Sequence, residues 1–236
     1  MLTARIGGVS IWCSDRRGGV SRAPYDSANV GDHVGDDPDA VAANRQRLAR
    51  TLGVTSPEGW VWLQQVHGSA VHVATTTPAI PPVADAAITR IPRLPLAILT
   101  ADCAPVVIAS ADAVGVVHAG HRGLLAGVIE ATVEQLRAIG HGAVRAYLGP
   151  CIRAEHYEFG GTDLEPLVAR YGPTVASRTV TGTPALDIPA GVRSALASVG
   201  VEDLDDSGVC TAATPELFSY RRDGVTGRQV TVAVLQ

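Results

Sequence analysis

Three residues of this sequence have side chains that can bind a metal ion or attack a substrate, and each stands at the end of an apolar segment. They are His67, Cys103 and His118, and small residues follow all three, so a ligand can come close to the backbone. Two imidazoles and a thiolate are ligands of the kind that hold a catalytic zinc with a fourth position open for water or substrate. The same residues fit a metal-free hypothesis, with Cys103 as nucleophile and His118 as its base. Burial in the core is a third interpretation for each residue taken singly.

These side chains are far apart in sequence, so strands and helices must bring them together. Apolar or alternating segments predict strands at residues 8–13, 60–66, 70–74, 143–148 and 229–235. Continuous apolar runs predict strands covered on both faces at residues 86–89, 95–100, 105–109 and 114–118. Apolar residues at helical spacing predict helices at 38–52, 123–139, 162–171 and 189–199. Strand ends that meet in space would bring the three candidate residues together.

The order of these elements indicates the fold class. Strands and helices are interspersed along 236 residues without an internal repeat or a linker, and one long polar loop covers residues 14–37. We therefore predict a single α/β domain over residues 1–236, with a mixed β-sheet flanked by helices in layers. The sequence does not indicate the oligomeric state.

Composition argues against several classes of protein. All 19 basic residues are arginines because lysine is absent, which excludes Schiff-base, pyridoxal-phosphate and Walker-type chemistry. A net charge of -4 and 4% aromatic residues predict that no nucleic acid is bound. No apolar run reaches the roughly 18 residues of a membrane span and the first residues lack a signal-peptide layout, so we predict no membrane partner and a cytoplasmic location. The 4 cysteines are widely spaced and are predicted to be reduced thiols.

Seven blocks of the sequence, in order along nearly the whole chain, resemble the YfiH family, the laccase-domain family historically labelled polyphenol oxidase. The blocks are Gly18 to Ser21 with Pro24-Tyr25, Asn29 with Gly31 to Asp37, Gln65 to Gly68, Ala101 to Pro105, His118 to Gly120 with Arg122-Gly123, Leu148 to Pro150, and Phe218 to Asp223 with Thr226 to Arg228. The resemblance implies a fold akin to that of the cytotoxic necrotizing factor deamidases. It also implies a zinc ion and the catalytic centre at His67, Cys103 and His118.

The resemblance implies an activity as well. Members of the family are described as purine nucleoside phosphorylases that split adenosine, inosine and 5'-methylthioadenosine with phosphate, and as adenosine deaminases. The expected partners are therefore a purine nucleoside and phosphate. Copper, suggested by the laccase label, is the less favoured metal because 7 histidines are too few for a multicopper centre. Other members are described as peptidoglycan editing factors, so a cysteine or zinc hydrolase acting on peptidoglycan precursors is the alternative, and a non-enzymatic partner with a structural metal is another.

Five further residues are candidates for binding the substrate. Asp102, next to Cys103, and His33, in the polar loop, are candidates for moving the proton that deamination requires. Without lysine, arginine must hold the phosphate. Arg122 lies just before the predicted helix at 123–139, where its guanidinium and the first N–H groups of the helix could bind an anion together. Arg221 and Arg222 are the alternatives.

The sequence departs from the family pattern at two places. His121 stands where the family usually has tryptophan, so the site gains an imidazole that could alter a wall or compete as a ligand. The segment from Cys151 to Glu158 lacks the expected glycine and proline spacing, which leaves the roles of Cys151 and His156 open.

Overall fold

Two β-sheets stack face to face in the computed structural model, which describes all 236 residues. The strands are β1 (Leu2–Ile6), β2 (Val9–Cys13), β3 (Val71–Val73), β4 (Ala86–Thr89), β5 (Leu96–Thr100), β6 (Ala104–Ala109), β7 (Val114–Ala119), β8 (Arg145–Leu148), β9 (Ala176–Arg178), β10 (Pro184–Leu186), β11 (Leu204–Asp206) and β12 (Gln229–Leu235). One sheet has the order β1-β2-β12-β5 and the other β11-β8-β6-β7-β4-β3, while β9 and β10 pair separately. Since β3 with β4 and β8 with β11 pair in parallel and the other neighbours are antiparallel, the mixed sheet is confirmed.

Alternation along the strands decides which layer each side chain enters. On β6, Val106 and Ile108 belong to the core beneath the helices, whereas Val107 belongs to the core between the two sheets. On β5, Ile98 packs between the sheets and Leu99 packs on the opposite face. Strands β5 and β6 are therefore covered on both faces, and the helices flank the sheets in layers as predicted.

Six α-helices complete the layers. They are α1 (Pro38–Leu52), α2 (His121–Ala126), α3 (Val128–Ile139), α4 (Gly161–Tyr171), α5 (Ile188–Ser198) and α6 (Tyr220–Asp223). The predicted first helix is confirmed at both ends, because the Asp37 side chain accepts the N–H of Asp39 and Gly53 ends the helix with a φ of 65°. None of the six combines the length and apolar character that a membrane span requires.

The predicted helix at 123–139 is wrong in extent, because glycine breaks it. Gly127 has a φ of 83° and separates α2 from α3, and its N–H is bonded to the carbonyl of Leu124. A Cβ atom at Gly127 would lie 2.8 Å from the guanidinium of Arg170. Apolar periodicity continues across the break, so the sequence pattern alone did not reveal it.

The predicted strand at 60–66 is also wrong. Only single bridges form in this segment, from Val61 to Leu96 and from Gln64 to Val83. The Gln65 side chain instead donates to the carbonyl of Leu99 and accepts its N–H, each at 2.8 Å. A side-chain amide thus occupies the backbone groups that a continuous strand would have paired.

The remaining differences concern short strands. The strands predicted at 86–89 and 229–235 are confirmed in full. Strands β1, β9, β10 and β11 were not predicted, since each has only three to five residues and polar or exposed positions interrupt its apolar pattern.

Candidate metal centre

The structure brings His67, Cys103 and His118 together. Their donor atoms all lie within 4.8 Å of one another. Antiparallel pairing of β6 with β7 brings Cys103, which precedes β6, beside His118 near the end of β7. His67 comes from the loop before β3, and its ring centroid lies 4.7 Å from that of His118. Only His118 lies within a strand, so turns and loops supply the other two donors.

The carboxylate of Asp85 holds two of these residues in place. Asp85 is fully buried and lies 2.9 Å from Nδ1 of His118. It also accepts the backbone N–H groups of His67 at 2.8 Å and Gly68 at 2.7 Å. With Nδ1 of His118 bonded to the carboxylate, Nε2 is left to bind a metal. The sequence analysis did not select Asp85 as a site residue. The feature that could have indicated it is a single carboxylate within the otherwise apolar segment 83–88.

The backbone beside the donors leaves no room for larger residues. A Cβ atom at Gly120 would lie 2.8 Å from Sγ of Cys103 and 3.1 Å from Nδ1 of His67. Glycine is therefore required if the donors are to lie this close together. His67 and Asp102 have positive φ angles of 59° and 101°, which are strained for residues with a side chain.

Electrostatics in this group favour a thiolate. Burial opposes charge on Cys103, but the facing imidazoles of His118 and His67 outweigh it and lower the pKa of the thiol to about 6. Burial opposes charge on His118 as well, whereas the Cys103 thiolate and Asp85 raise the pKa of this imidazole to about 9. The thiolate is the form of cysteine that binds a metal.

The donor set fits one metal ion. Two imidazole nitrogens and a thiolate match a three-ligand zinc site, and a cavity on the open side leaves space for a fourth ligand. His67 is exposed, Cys103 is half-buried and His118 is buried, so the group can be reached from solution. The chain contains no second cluster of three such donors, and a multicopper centre therefore does not fit.

A cavity of about 400 Å³ opens beside the donors, a volume in the usual range for a small-molecule site. Of the five predicted substrate-binding residues, His33, Asp102 and Arg221 line it, and Arg122 and Arg222 do not. Lining residues that sequence reasoning did not select for this role are Gln65, Leu99, Thr100, Ala101, His121, Tyr157, Tyr220 and Arg228.

Arg228 brings to the cavity a positive charge that no carboxylate neutralises. Its guanidinium donates to the carbonyls of Thr226 at 3.1 Å and Gly227 at 2.9 Å, and it forms no ion pair. Burial lowers the pKa of Arg228, as expected for a cation taken partly out of water. A bound anion would compensate that cost. The feature of the sequence that could have indicated Arg228 as a site residue is its position in the last of the seven family-like blocks.

Arg221 lines the same cavity. Its backbone N–H donates to Oδ2 of Asp102 at 2.7 Å, and its guanidinium donates to the carbonyl of Glu158 at 2.7 Å. The guanidinium also lies 4.7 Å from the ring centroid of Tyr157. No carboxylate pairs with Arg221 either, so the cavity is lined by two arginines without an ion-pair partner.

Asp102 and His33 differ in how free they are to move a proton. Both carboxylate oxygens of Asp102 are engaged, Oδ1 by the Thr211 hydroxyl at 2.6 Å and Oδ2 by the N–H of Arg221. Asp102 thus links the turn that carries Cys103 to the segment that carries Arg221. His33 has an exposed side chain, and its Nδ1 lies 3.7 Å from the Asp32 carboxylate.

Two predicted phosphate-binding arginines lie outside the cavity wall. Arg122 is exposed on α2, which begins at His121 and has only 6 residues, so the expected helix start after Arg122 does not exist. Arg222 donates to the carbonyls of Thr211 and Thr214, each at 3.0 Å, and pairs with Asp223 at 2.7 Å. Its guanidinium therefore secures the chain before α6.

His121 faces the same cavity but is not one of the metal donors. Its Nδ1 lies 3.4 Å from the Tyr157 hydroxyl, and its ring meets Phe159 edge-on with centroids 5.1 Å apart. Burial, together with Arg122, lowers the pKa of His121. His121 thus forms part of a wall of the cavity.

Cys151 and His156 lie away from the metal donors. Cys151 is fully buried, and burial raises the pKa of its thiol to about 12. His156 is exposed and lines a separate surface depression with Arg153 and Cys210. Neither residue lines the cavity of the candidate centre.

Comparison with known proteins defines the class of this one. Residues 10–236 match the family described as multi-copper polyphenol oxidoreductase laccase, so the chain belongs to this laccase-like YfiH family. The resemblance found in the sequence blocks is thereby confirmed.

Particular relatives cover nearly the whole chain. A purine nucleoside phosphorylase (ORF3) of Streptomyces griseus is 46% identical over 222 residues, which are 91% of this chain and 89% of that protein. The purine nucleoside phosphorylase YfiH of Escherichia coli K12 is 42% identical over 225 residues, 94% and 91% of the two chains. The crystal structure of protein NMB0706 from Neisseria meningitidis has a TM-score of 0.89 at 33% identity, covering 100% of this chain and 98% of that one. The fold expected from the resemblance is shared with these proteins.

Proposed function

We propose that this protein is a zinc-dependent purine nucleoside phosphorylase with adenosine deaminase activity at the same site. One observation carries the proposal: the His67, Cys103 and His118 donors open into a cavity whose wall holds two arginines without carboxylate partners. A metal site and an anion site therefore face one space. Relatives that are 46% and 42% identical are named purine nucleoside phosphorylases, which supports this type of reaction.

Phosphorolysis requires a phosphate held against C1' of the ribose, and Arg221 and Arg228 are suited to hold it. Guanidinium groups bind phosphate oxygens through paired N–H donors. A phosphate oxygen then forms a bond to C1' while the bond from C1' to N9 breaks. The bonding electrons leave with the purine, which takes up a proton. The anion beside C1' stabilises the positive charge that develops on the ribose.

A zinc ion at His67, Cys103 and His118 would supply Lewis acidity that polarises a substrate group and activates water for deamination. Asp85 orients His118 and fixes the backbone of His67, so the donors are preorganised. We assign the proton transfer of deamination to His33, because the oxygens of Asp102 are already engaged. The four free thiols suit a reducing compartment, and we place the enzyme in the cytoplasm.

An assay on zinc-loaded protein tests the proposal. Inosine and adenosine are incubated with and without phosphate, and bases, ribose 1-phosphate and inosine are separated by chromatography. We expect base release that depends on phosphate, inosine formation from adenosine, and neither product with Cys103→Ala. Copper-loaded protein serves as the metal control. Absence of turnover with stoichiometric zinc bound would end the proposal.

A second candidate is a cysteine hydrolase acting on peptidoglycan precursors. It is favoured by the chain of contacts from the Cys103 thiolate to His118 and on to Asp85, which resembles a nucleophile, base and orienting acid. Alkylation by iodoacetamide separates the candidates. A thiolate nucleophile reacts at once, whereas a metal-bound thiolate is protected until the metal is chelated.

A further inference from the structure

The guanidinium of Arg228 has a free hydrogen-bonding edge. Within the protein only Nη1 is bonded, to the carbonyls of Thr226 at 3.1 Å and Gly227 at 2.9 Å. The N–H groups on Nε and Nη2 have no hydrogen-bond partner in the protein. An edge of this kind can bind two oxygens of one phosphate. Phosphate binding by Arg228 therefore depends on where its side chain lies.

Asn29, in the polar loop, ties the loop to the backbone of Arg228. Its side chain is fully buried, and Oδ1 accepts the N–H of Arg228 at 2.8 Å and the N–H of Gly31 at 2.9 Å. Its Nδ2 donates to the carboxylate of Asp36 at 2.8 Å and to the carbonyl of Gly31 at 3.1 Å. The N–H of Val30 also donates to the carbonyl of Arg228 at 3.1 Å. The two backbone segments therefore cannot separate without leaving buried polar groups unpaired.

Gly31 is the point at which the loop meets the side chain of Arg228. A Cβ atom at Gly31 would lie 2.7 Å from Cγ and 2.9 Å from Cβ of Arg228. Carbon atoms in contact are normally about 3.5–4.0 Å apart, and these two belong to the base of the side chain. Since the backbones are tied together, room for a larger residue would have to come from movement of the Arg228 side chain. The φ angle of Gly31 is not positive, so the space and not the backbone conformation requires glycine here.

We propose that Gly31 is a positioning residue for phosphate binding. Because it has no side chain, Arg228 can take the place at the cavity wall from which it holds the anion, while Asn29 keeps the two segments together. The inference rests on the proposed function, in which Arg228 binds phosphate. It assigns part of the phosphate site to the polar loop, which also supplies His33 to the cavity.

The test is the Kd of inorganic phosphate, measured by calorimetry on zinc-loaded protein, together with the KM for phosphate in the phosphorolysis assay. We expect Gly31→Ala to weaken phosphate binding about tenfold, because a charged hydrogen bond is lost. Gly161→Ala is the matched control and should bind phosphate like the unaltered protein. Gly161 is the first residue of α4, and a Cβ atom there would meet nothing within 4 Å.

A double variant separates positioning from general damage to the site. In the Arg228→Gln background, Gly31→Ala should leave phosphate binding unchanged, because no guanidinium remains to be displaced. Damage that spreads beyond Arg228 would weaken binding by the same factor in both backgrounds. Asn29→Ser, which loosens the tie without adding bulk, is a second single variant with the same expected result as Gly31→Ala.

Zinc content and melting temperature are measured for every variant, so loss of metal or of folding is recognised. Unchanged phosphate affinity in folded Gly31→Ala, an equal loss in both backgrounds, or phosphate binding that survives Arg228→Gln would overturn the inference. Failure of the unaltered protein to split any nucleoside would instead overturn the proposed function, and the calorimetric Kd would still report whether Gly31 positions Arg228 for an anion.

Discussion

At the scale of the residue, Asp85 determines how His118 is presented to a metal. Asparagine at position 85 keeps the shape, but it has a single acceptor oxygen and no charge. If that oxygen keeps the bonds of His118 Nδ1 and the His67 N–H, which share Oδ1, the NH2 group faces the N–H of Gly68 that Oδ2 accepts. We expect Asp85→Asn to weaken zinc binding about 10- to 100-fold, measured by competition with a chromogenic chelator. Asp112→Asn, which removes a partly exposed carboxylate beside His141, is the matched control. Equal affinities of the two variants would contradict this role.

The pH dependence of zinc binding follows from the same residues. Without metal, the pKa of the Cys103 thiol is about 6 and the pKa of the His118 imidazole is about 9. Between pH 6 and pH 9, Cys103 is therefore a thiolate and His118 is protonated. Zinc binding in this range displaces one proton, which comes from His118. The affinity should therefore rise about tenfold per pH unit from pH 6 to pH 9, and more steeply below pH 6, where the thiol proton is displaced as well. Calorimetry in buffers of different ionisation enthalpy counts the released protons. Binding that does not change with pH would show that the pair does not hold the metal.

The proposed function predicts different roles for Arg228 and Arg122 in binding phosphate. Arg228 lines the cavity without a carboxylate partner, whereas Arg122 is exposed outside it. We expect Arg228→Gln to raise the KM for phosphate at least about tenfold, since a charged hydrogen bond is lost, with zinc content unchanged. Arg122→Gln should keep the KM of the unaltered protein. The reverse outcome would restore the interpretation drawn from the sequence.

At the scale of the element, the break between α2 and α3 depends on Gly127. Its φ of 83° disfavours any side chain, and a Cβ atom would also meet the guanidinium of Arg170 at 2.8 Å. We expect Gly127→Ala to lower the free energy of unfolding in urea by at least about 1–2 kcal/mol from backbone strain alone. Gly7→Ala is the control, because Gly7 has a φ of 55° with nothing within 4 Å. If the free energy of unfolding falls equally in both variants, the contact with Arg170 adds nothing to the destabilisation of Gly127→Ala.

At the scale of the whole molecule, the candidate metal joins segments that are distant in sequence. A ligand that binds only the folded state stabilises it by about 2.7 kcal/mol when the free ligand concentration is 100 times its Kd. For a chain of this size we expect removal of zinc to lower Tm by about 5–10 °C. Scanning calorimetry with and without chelator measures the shift. Cys103→Ala should show no shift on chelation, and an equal shift in that variant would place the stabilising metal elsewhere.

The amino-acid sequence by itself determined the features that depend on residue type and local period. The strands at 86–89 and 229–235 and the helix at 38–52 follow from apolar runs, helical spacing and caps, which act over a few residues. The absence of lysine restricted phosphate binding to arginine. The chemistry of His67, Cys103 and His118 made them candidates, and the family resemblance favoured a metal site over the other interpretations.

The tertiary structure alone decided which groups meet and which remain free. The interruption at Gln65 arises from hydrogen bonds with Leu99, 34 residues away in sequence, and the guanidinium that a Cβ atom at Gly127 would meet belongs to Arg170 on another helix. Asp85 and Arg228 became visible as site residues only through their surroundings. A hydrogen bond needs its partner within about 3 Å, and a cavity needs walls from several elements, so neither can be read from residue types along one chain.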